Sequence, residues 1–410
     1  MMKFNSQYSG LAISLCIQGL GVCFSFLLTY LVSSKLFLDD SENVFWSLAI
    51  INVALMFATL GLPNYVIKKM SEFKVNKDKH NFIYSSLLLV FFVSIIVLLL
   101  LLSLGMILNF HISLFYSLPI WAMLLFSCSI LQSAGEVSLS QVIYLILFPG
   151  GVSLSLYLSE VNSFHYASLV YFLVLIFCQL YALYCIKNIF GVKKLNLTFD
   201  LKLIEFPYAR DLMFSQVLTQ IGLYFGQIYL GYVGQEGELS GFVVAQKISL
   251  FAGVVLIAAN KFASPKMAKA HAIGDIQGLK DIYFKTSAFV SAVSFPITLI
   301  IVFSSSEILG FFGERFIDFA LPLYILVFGQ FINLATGSIG YLMMMTGGAK
   351  TYRNVLLICT VISVLLTIIL VPCYGAIGAA IGLSALLIGS NLTTLVLVLR
   401  KYQLLKVDNV

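Results

Sequence analysis

The chain has 410 residues, 60% of them apolar and only 10% charged, with a formal net charge of +6. A soluble domain usually carries ~25% charged residues. Such a composition excludes a water-dissolved globule and points to a chain whose solvent is the bilayer, while the lack of a basic patch interleaved with aromatics excludes nucleic acid as a partner.

Apolar runs, each near the ~20 residues one helical crossing needs, follow one another along the sequence. The first, Gly10 to Val32, comes after Lys3. It is too long for a signal-peptide core and lacks a small-residue cleavage site, so it reads as a mature helix. Five more cover Asn43 to Ile67, Asn81 to Phe110, Ile112 to Ser133, Val137 to Leu158 and His165 to Ile186. A charged stretch intervenes. The remaining runs are Leu212 to Val233, Leu239 to Phe262, Thr286 to Phe303, Leu321 to Met345, Asn354 to Val371 and Gly375 to Leu399. The pattern predicts an all-α membrane protein of twelve transmembrane helices in two six-helix lobes. Residues 1-190 form the N-terminal lobe, 191-210 a cytoplasmic linker and 211-410 the C-terminal lobe.

Cytoplasmic loops retain Lys and Arg, and of the 24 here all but Lys35, Arg315 and Lys247 fall in alternate gaps or at the two ends. The opposite gaps carry Asp39, Asp40, Glu42, Glu160, Glu236, Glu238, Glu307, Glu314 and Asp318. Both termini are therefore expected in the cytoplasm. Laying Asp39–Met70 over Glu236–Met267 without a gap aligns an acidic loop, an apolar run and a Lys-Met pair, a weak internal repeat. Parallel repeats of this kind are a common transporter plan, with the substrate site near the midplane between the lobes. The segment from Phe262 to Lys285 has the charge and periodicity either of a short surface helix at the cytoplasmic leaflet or of a solvated loop.

Seven cysteines form no C-x-x-C pair and read as small apolar fillers. His80, His111, His165 and His271 are scattered singly near helix ends. Neither a metal centre nor a nucleophile with its base assembles from this spacing, so an enzyme is not expected and no cofactor is implied.

Lys247, in GFVVAQKISLFAGVV, is the one basic residue well inside an apolar run. A charge at a helix centre costs ~2.5–3.5 kcal/mol on insertion scales. Two readings are open: a fixed cation lining a hydrated cavity where it meets an anionic headgroup, or a lysine snorkelling to the interface from ~9 Å beyond Gly241. In the seventh run Gln216, Gln220, Tyr224 and Gln227 fall within ~80° of helical arc. In the tenth, Gln330, Asn333, Gly337, Tyr341 and Met344 do the same. Amides facing lipid would leave donors and acceptors unsatisfied, so these stripes face another helix or a water-filled cavity between the lobes. Neutral donors and acceptors beside aromatic faces suit a sugar-bearing ligand. GAIGAAIG, holding Gly375, Gly378 and Gly382 after Pro372, reads as a close-packing face.

The stretches LPLYILVFGQFINLATGSIGYLMMMTGGAKTYRNV and VPCYGAIGAAIG resemble the carboxy-terminal signature of bacterial polysaccharide exporters of the O-antigen flippase (Wzx) type. Those exporters sit within the multidrug/oligosaccharidyl-lipid/polysaccharide (MOP) superfamily. The similarity extends more loosely to ATLGLPNYVIKKM and GFVVAQKISLF. It implies a MATE-like, two-lobe fold in the bacterial inner membrane. The implied activity moves undecaprenyl-diphosphate-linked oligosaccharide to the outer leaflet by alternating access, with a polysaccharide polymerase and a chain-length regulator as partners. It places Lys247 and Lys35 where such flippases often carry a cation. The first run departs from the murein lipid flippase, which has arginines there, and two extra helices of that branch are missing.

Other classes fit less well. A multidrug extruder should show buried carboxylates, and Glu136 and Asp211 lie only near helix ends. An O-antigen polymerase should show a large external loop with arginines. A channel should show a charged ring or filter-like loop. The same shortage of carboxylates leaves the membrane potential as the simplest energy source.

Overall fold

The computed structural model describes residues 2–70, 76–107, 110–159, 162–191 and 206–402, and every regular element among them is a helix. Two compact units emerge, Met1–Gln220 and Ile221–Val410. Most of the linker expected at 191-210 lies outside the described residues.

The first unit holds α1 (Met2–Lys35), α2 (Leu38–Ala58), α3 (Leu62–Lys69), α4 (Asn76–Ile107), a 3-10 turn at Ser113–Ser117 and α5 (Leu118–Ser133). These are followed by α6 (Val137–Gln141), a π-helical segment at Val142–Leu147, α7 (Phe148–Leu158), α8 (Phe164–Phe190) and the start of α9 (Phe206–Val233). Local chemistry sets several ends. Pro119 occupies the first turn of α5, where a missing N–H costs nothing. The Ser163 hydroxyl accepts the Tyr166 N–H at the start of α8, and Gly191, at φ +61°, closes that helix. The core between α5, α7 and α8 is aromatic: Trp121 lies 4.9 Å from Phe148 and 6.4 Å from Tyr171, ring centre to ring centre. On α4, by contrast, Phe92, Ile96, Leu99 and Leu100 remain exposed, as a lipid-facing surface requires.

In the second unit come the rest of α9, α10 (Glu238–Phe251), α11 (Val254–Ala272), α12 (Ile276–Phe303), α13 (Ser305–Phe312) and a 3-10 turn at Glu314–Phe319. Then follow α14 (Ala320–Thr336), α15 (Ile339–Met343), a kinked π segment at Met344–Gly348, α16 (Ala349–Tyr374) and α17 (Ala376–Tyr402). Both α14 and α16 pack along α17. The small-residue face works as packing: a methyl group at Gly378 would sit 2.6 Å from the Leu370 carbonyl carbon, and one at Gly382 would strike the Thr367 hydroxyl.

Four expectations need correction. The run from Asn43 to Ile67 is not one helix, because Leu60 (φ +52°) and Gly61 (φ +72°) turn the chain between α2 and α3. The run from Leu239 to Phe262 breaks at Ala252–Gly253, and that from Leu321 to Met345 at Gly337 (φ +60°) and Ser338. Both halves of the aligned repeat are thus interrupted helices. The segment from Phe262 to Lys285 is neither a separate surface helix nor a loop. It is the end of α11, a turn at residues 273–275, and the start of α12, where Asp275 Oδ1 accepts the Gly278 N–H at 2.7 Å. Apart from these corrections, ten helical stretches among the described residues are long and apolar enough to cross a membrane. The expected seventh and eighth crossings are helical but not among the ten. Glutamines dilute α9, and the Gly253 break leaves α10 only 14 residues long.

Candidate functional site

Lys247 lies on α10, half-buried, in the last turn and a half before the Gly253 break. Its neighbour Gln246, which the sequence did not single out, is buried and organises the contact with α9. Its Oε1 accepts from Gln227 Nε2 at 2.7 Å, and its own Nε2 donates to the Leu223 carbonyl at 3.1 Å. Of the α9 stripe, Gln227 is therefore spent between helices. Tyr224 is half-buried in the same unit. Gln216 and Gln220 fall in the first unit; Gln216 is half-buried, and Gln220 Oε1 is sealed from solvent without a hydrogen-bond partner.

The α14 stripe is also engaged. Gln330 Oε1 accepts from Asn333 Nδ2 at 3.3 Å, and Asn333 Oδ1 accepts from Asn391 Nδ2 at 3.0 Å on α17. Asn391 also donates to the Leu387 carbonyl at 2.8 Å. The other end of Gln330 lies against the α10–α11 break, since a Cβ at Gly253 would come within 2.5 Å of its Nε2. Tyr341 and Met344 do not continue this stripe. The Gly337 turn takes them off the α14 register, and Tyr341 is exposed.

Lys35 is held by carbonyls. Its Nζ donates to Tyr157 O at 2.7 Å and Ser159 O at 3.4 Å and lies 5.2 Å from the Tyr157 ring centre. A cation there complements the negative C-terminal end of α7. Gln246 and Asn391 are polar groups of the second unit that pattern reading missed, because each lies in an apolar run outside the two stripes; Glu238, expected in an acidic gap, opens α10. In the first unit a further set, Ser14, Gln18, Gln132 and Gln141, was missed for the same reason. Among the described residues no three His, Cys, Asp or Glu side chains converge as a metal site would require.

No family model and no curated protein matches the chain. Solved structures do. A multidrug resistance MATE family transporter of the MOP superfamily, in an inward-facing conformation, matches over 98% of this chain and 100% of its own, with a TM-score of 0.74 and 14% identity. The lipid II flippase MurJ, inward closed, matches over 96% and 89%, with a TM-score of 0.71 and 16% identity. A MOP superfamily transporter from Pyrococcus furiosus matches over 97% and 96%, at 0.71 and 12%. With its apolar helices, the chain is a multi-pass membrane protein in the fold shared by MATE transporters and the lipid II flippase of the MOP superfamily.

Proposed function

We propose that the chain is a flippase of the bacterial inner membrane that carries an undecaprenyl-diphosphate-linked oligosaccharide from the cytoplasmic to the outer leaflet. The observation that carries this is Lys247, half-buried in an apolar helix. Its ammonium is a positive charge of the kind that complements the anionic oxygens of a diphosphate. The likeness to a lipid II flippase supports the reading through fold.

Lys247→Ala is expected to abolish surface polysaccharide while leaving protein abundance unchanged, and Lys247→Arg to retain part of the export. Normal export by Lys247→Ala would return Lys247 to a snorkelling role.

A second reading, a multidrug exporter, is favoured by the match to a MATE transporter over 98% of this chain and all of the transporter's own. It predicts that deleting the gene raises accumulation of cationic dyes and leaves the surface polysaccharide intact, the reverse of the flippase outcome.

A further inference from the structure

The first unit contains a polar cluster that neither stripe includes. Ser14 Oγ on α1 donates to Gln141 Oε1 at the end of α6, at 2.7 Å, and Gln18 Nε2, one turn further along α1, reaches Ser14 Oγ at 3.4 Å. Beside them Gln132 Nε2 on α5 donates to Ser140 Oγ at 3.0 Å. Ser14, Gln18 and Gln141 are each more than nine-tenths buried.

Each of the three amides spends one end inside the protein. The other ends, Gln18 Oε1, Gln132 Oε1 and Gln141 Nε2, have no hydrogen-bond partner and yet are not sealed from solvent. Gln179 gives the contrast: its Nε2 bonds Ser127 Oγ at 3.2 Å, and its unpaired Oε1 is fully closed off. Hydrocarbon against these open amide ends would leave each unsatisfied, so each meets water or a polar ligand.

The chemistry of the open ends selects the ligand. Two are acceptors and one is a donor. A sugar hydroxyl supplies both roles at once, whereas a phosphate, which only accepts, would confront two acceptor oxygens. The side chains of the set are uncharged, and Glu136, in the turn before α6, is exposed. The next turn is the π segment, which carries Tyr144 with its hydroxyl 3.3 Å from Trp121 Nε1. Single π turns recur at functional positions in helices.

We propose that Gln18, Gln132 and Gln141 form a subsite for the neutral sugars of the substrate on the first unit, separate from the group that meets the diphosphate. This rests on the flippase reading. The charge pattern of the loops puts the α5–α6 turn at the cytoplasmic side, so the subsite would engage the sugars before they cross.

The test uses the full chain with its native cysteines replaced, carrying Gln18→Cys or Gln141→Cys, in vesicles of phosphatidylethanolamine and phosphatidylglycerol. Labelling by a membrane-impermeant maleimide is followed alone, with undecaprenyl diphosphate, and with the same lipid bearing a neutral disaccharide. Both positions are expected to label, and the disaccharide lipid is expected to slow labelling at least threefold where the bare lipid does not. Failure to label, equal protection by both lipids, or protection by neither overturns the subsite. Flipping of the disaccharide lipid by the cysteine-free parent is measured in parallel. If the parent flips it while the cysteines stay unprotected, the subsite falls and the flippase reading stands. If the parent flips neither lipid, the reading falls and takes the subsite with it. Gln132→Leu, in an otherwise native chain with an unchanged unfolding temperature, should cut flipping of the disaccharide lipid about tenfold.

Discussion

The Glu238 carboxylate accepts the backbone N–H of Ala376, joining the first turn of α10 to the first turn of α17 across 138 positions of sequence. The first N–H groups of a helix have no partner within it, and a carboxylate at that end also gains from the helix dipole. Gly375 makes the approach possible, since a Cβ there would lie 2.5 Å from Glu238 Oε1.

Glu238→Ala is therefore expected to destabilise the second unit by ~1–2 kcal/mol, the usual cost of a lost cap. Gly375→Ala should cost at least as much, because it puts a side chain at φ +51° and displaces the carboxylate. Combining the two should cost less than their sum, since both remove the same contact. Unfolding in detergent reads all three, and strict additivity would separate the two residues.

Gln227 and Gln246 supply a second measurable tie. Hydrogen bonds between membrane helices average ~0.6 kcal/mol in double-mutant cycles, with ~1.7 at the upper end. A cycle of Gln227→Leu and Gln246→Leu should return a coupling inside that range. A coupling of zero would mean that water replaces the pair without loss.

At the α14–α15 break, Ser287 Oγ on α12 and Ser338 Oγ are buried without partners. Removing the Ser287 hydroxyl forfeits no more than a weak contact with the Tyr283 hydroxyl, so Ser287→Ala should change stability by less than ~0.5 kcal/mol. Gly337→Ala should be severe. The backbone there is at φ +60°, and a methyl would meet the Ser287 Cβ at 2.7 Å and its Cα at 2.9 Å. Ser287→Ala should consequently fail to rescue Gly337→Ala, as refolding yield in detergent would show.

An outward-moving anion is driven by an interior-negative potential, worth ~2.3 kcal/mol per charge per 100 mV. For a headgroup with roughly two negative charges, flipping in vesicles should accelerate under a potassium diffusion potential with no proton or sodium gradient. A rate that ignores the potential and follows a proton or sodium gradient would make Glu136 and Asp211 the first carboxylates to substitute.

Much of the fold is visible in the hydropathy of the chain because lipid rewards apolar length, and apolar length is a local property. The breaks were harder to see. Leu60 is an apolar residue inside an apolar run, and nothing in its neighbours announces a positive φ. Gly337 reads equally well as a helix-packing glycine until Ser287 is known to lie against it. The polar stripes of α9 and α14 were legible from spacing, yet their partners were not. Gln246 and Asn391 each sit alone on another helix, and only tertiary structure pairs them with Gln227 and Asn333. Lys247 stood out by cost alone, which depends on composition and not on contacts.

The short span of α10 bears on how the chain enters the membrane. Its 14 residues rise ~21 Å, less than the ~30 Å of hydrocarbon, so α10 cannot cross without α11. A crossing made from both would put the Gly253 joint at hydrocarbon depth, where loosened backbone needs a polar neighbour. The Gln330 amide that packs against this joint is encoded far downstream. At ~5–20 residues per second, the roughly 80 residues between them take on the order of 4–16 s to synthesise. During that interval the newly made α10–α11 segment has no Gln330 beside its joint, which meets water, lipid headgroups or the insertion machinery until α14 arrives.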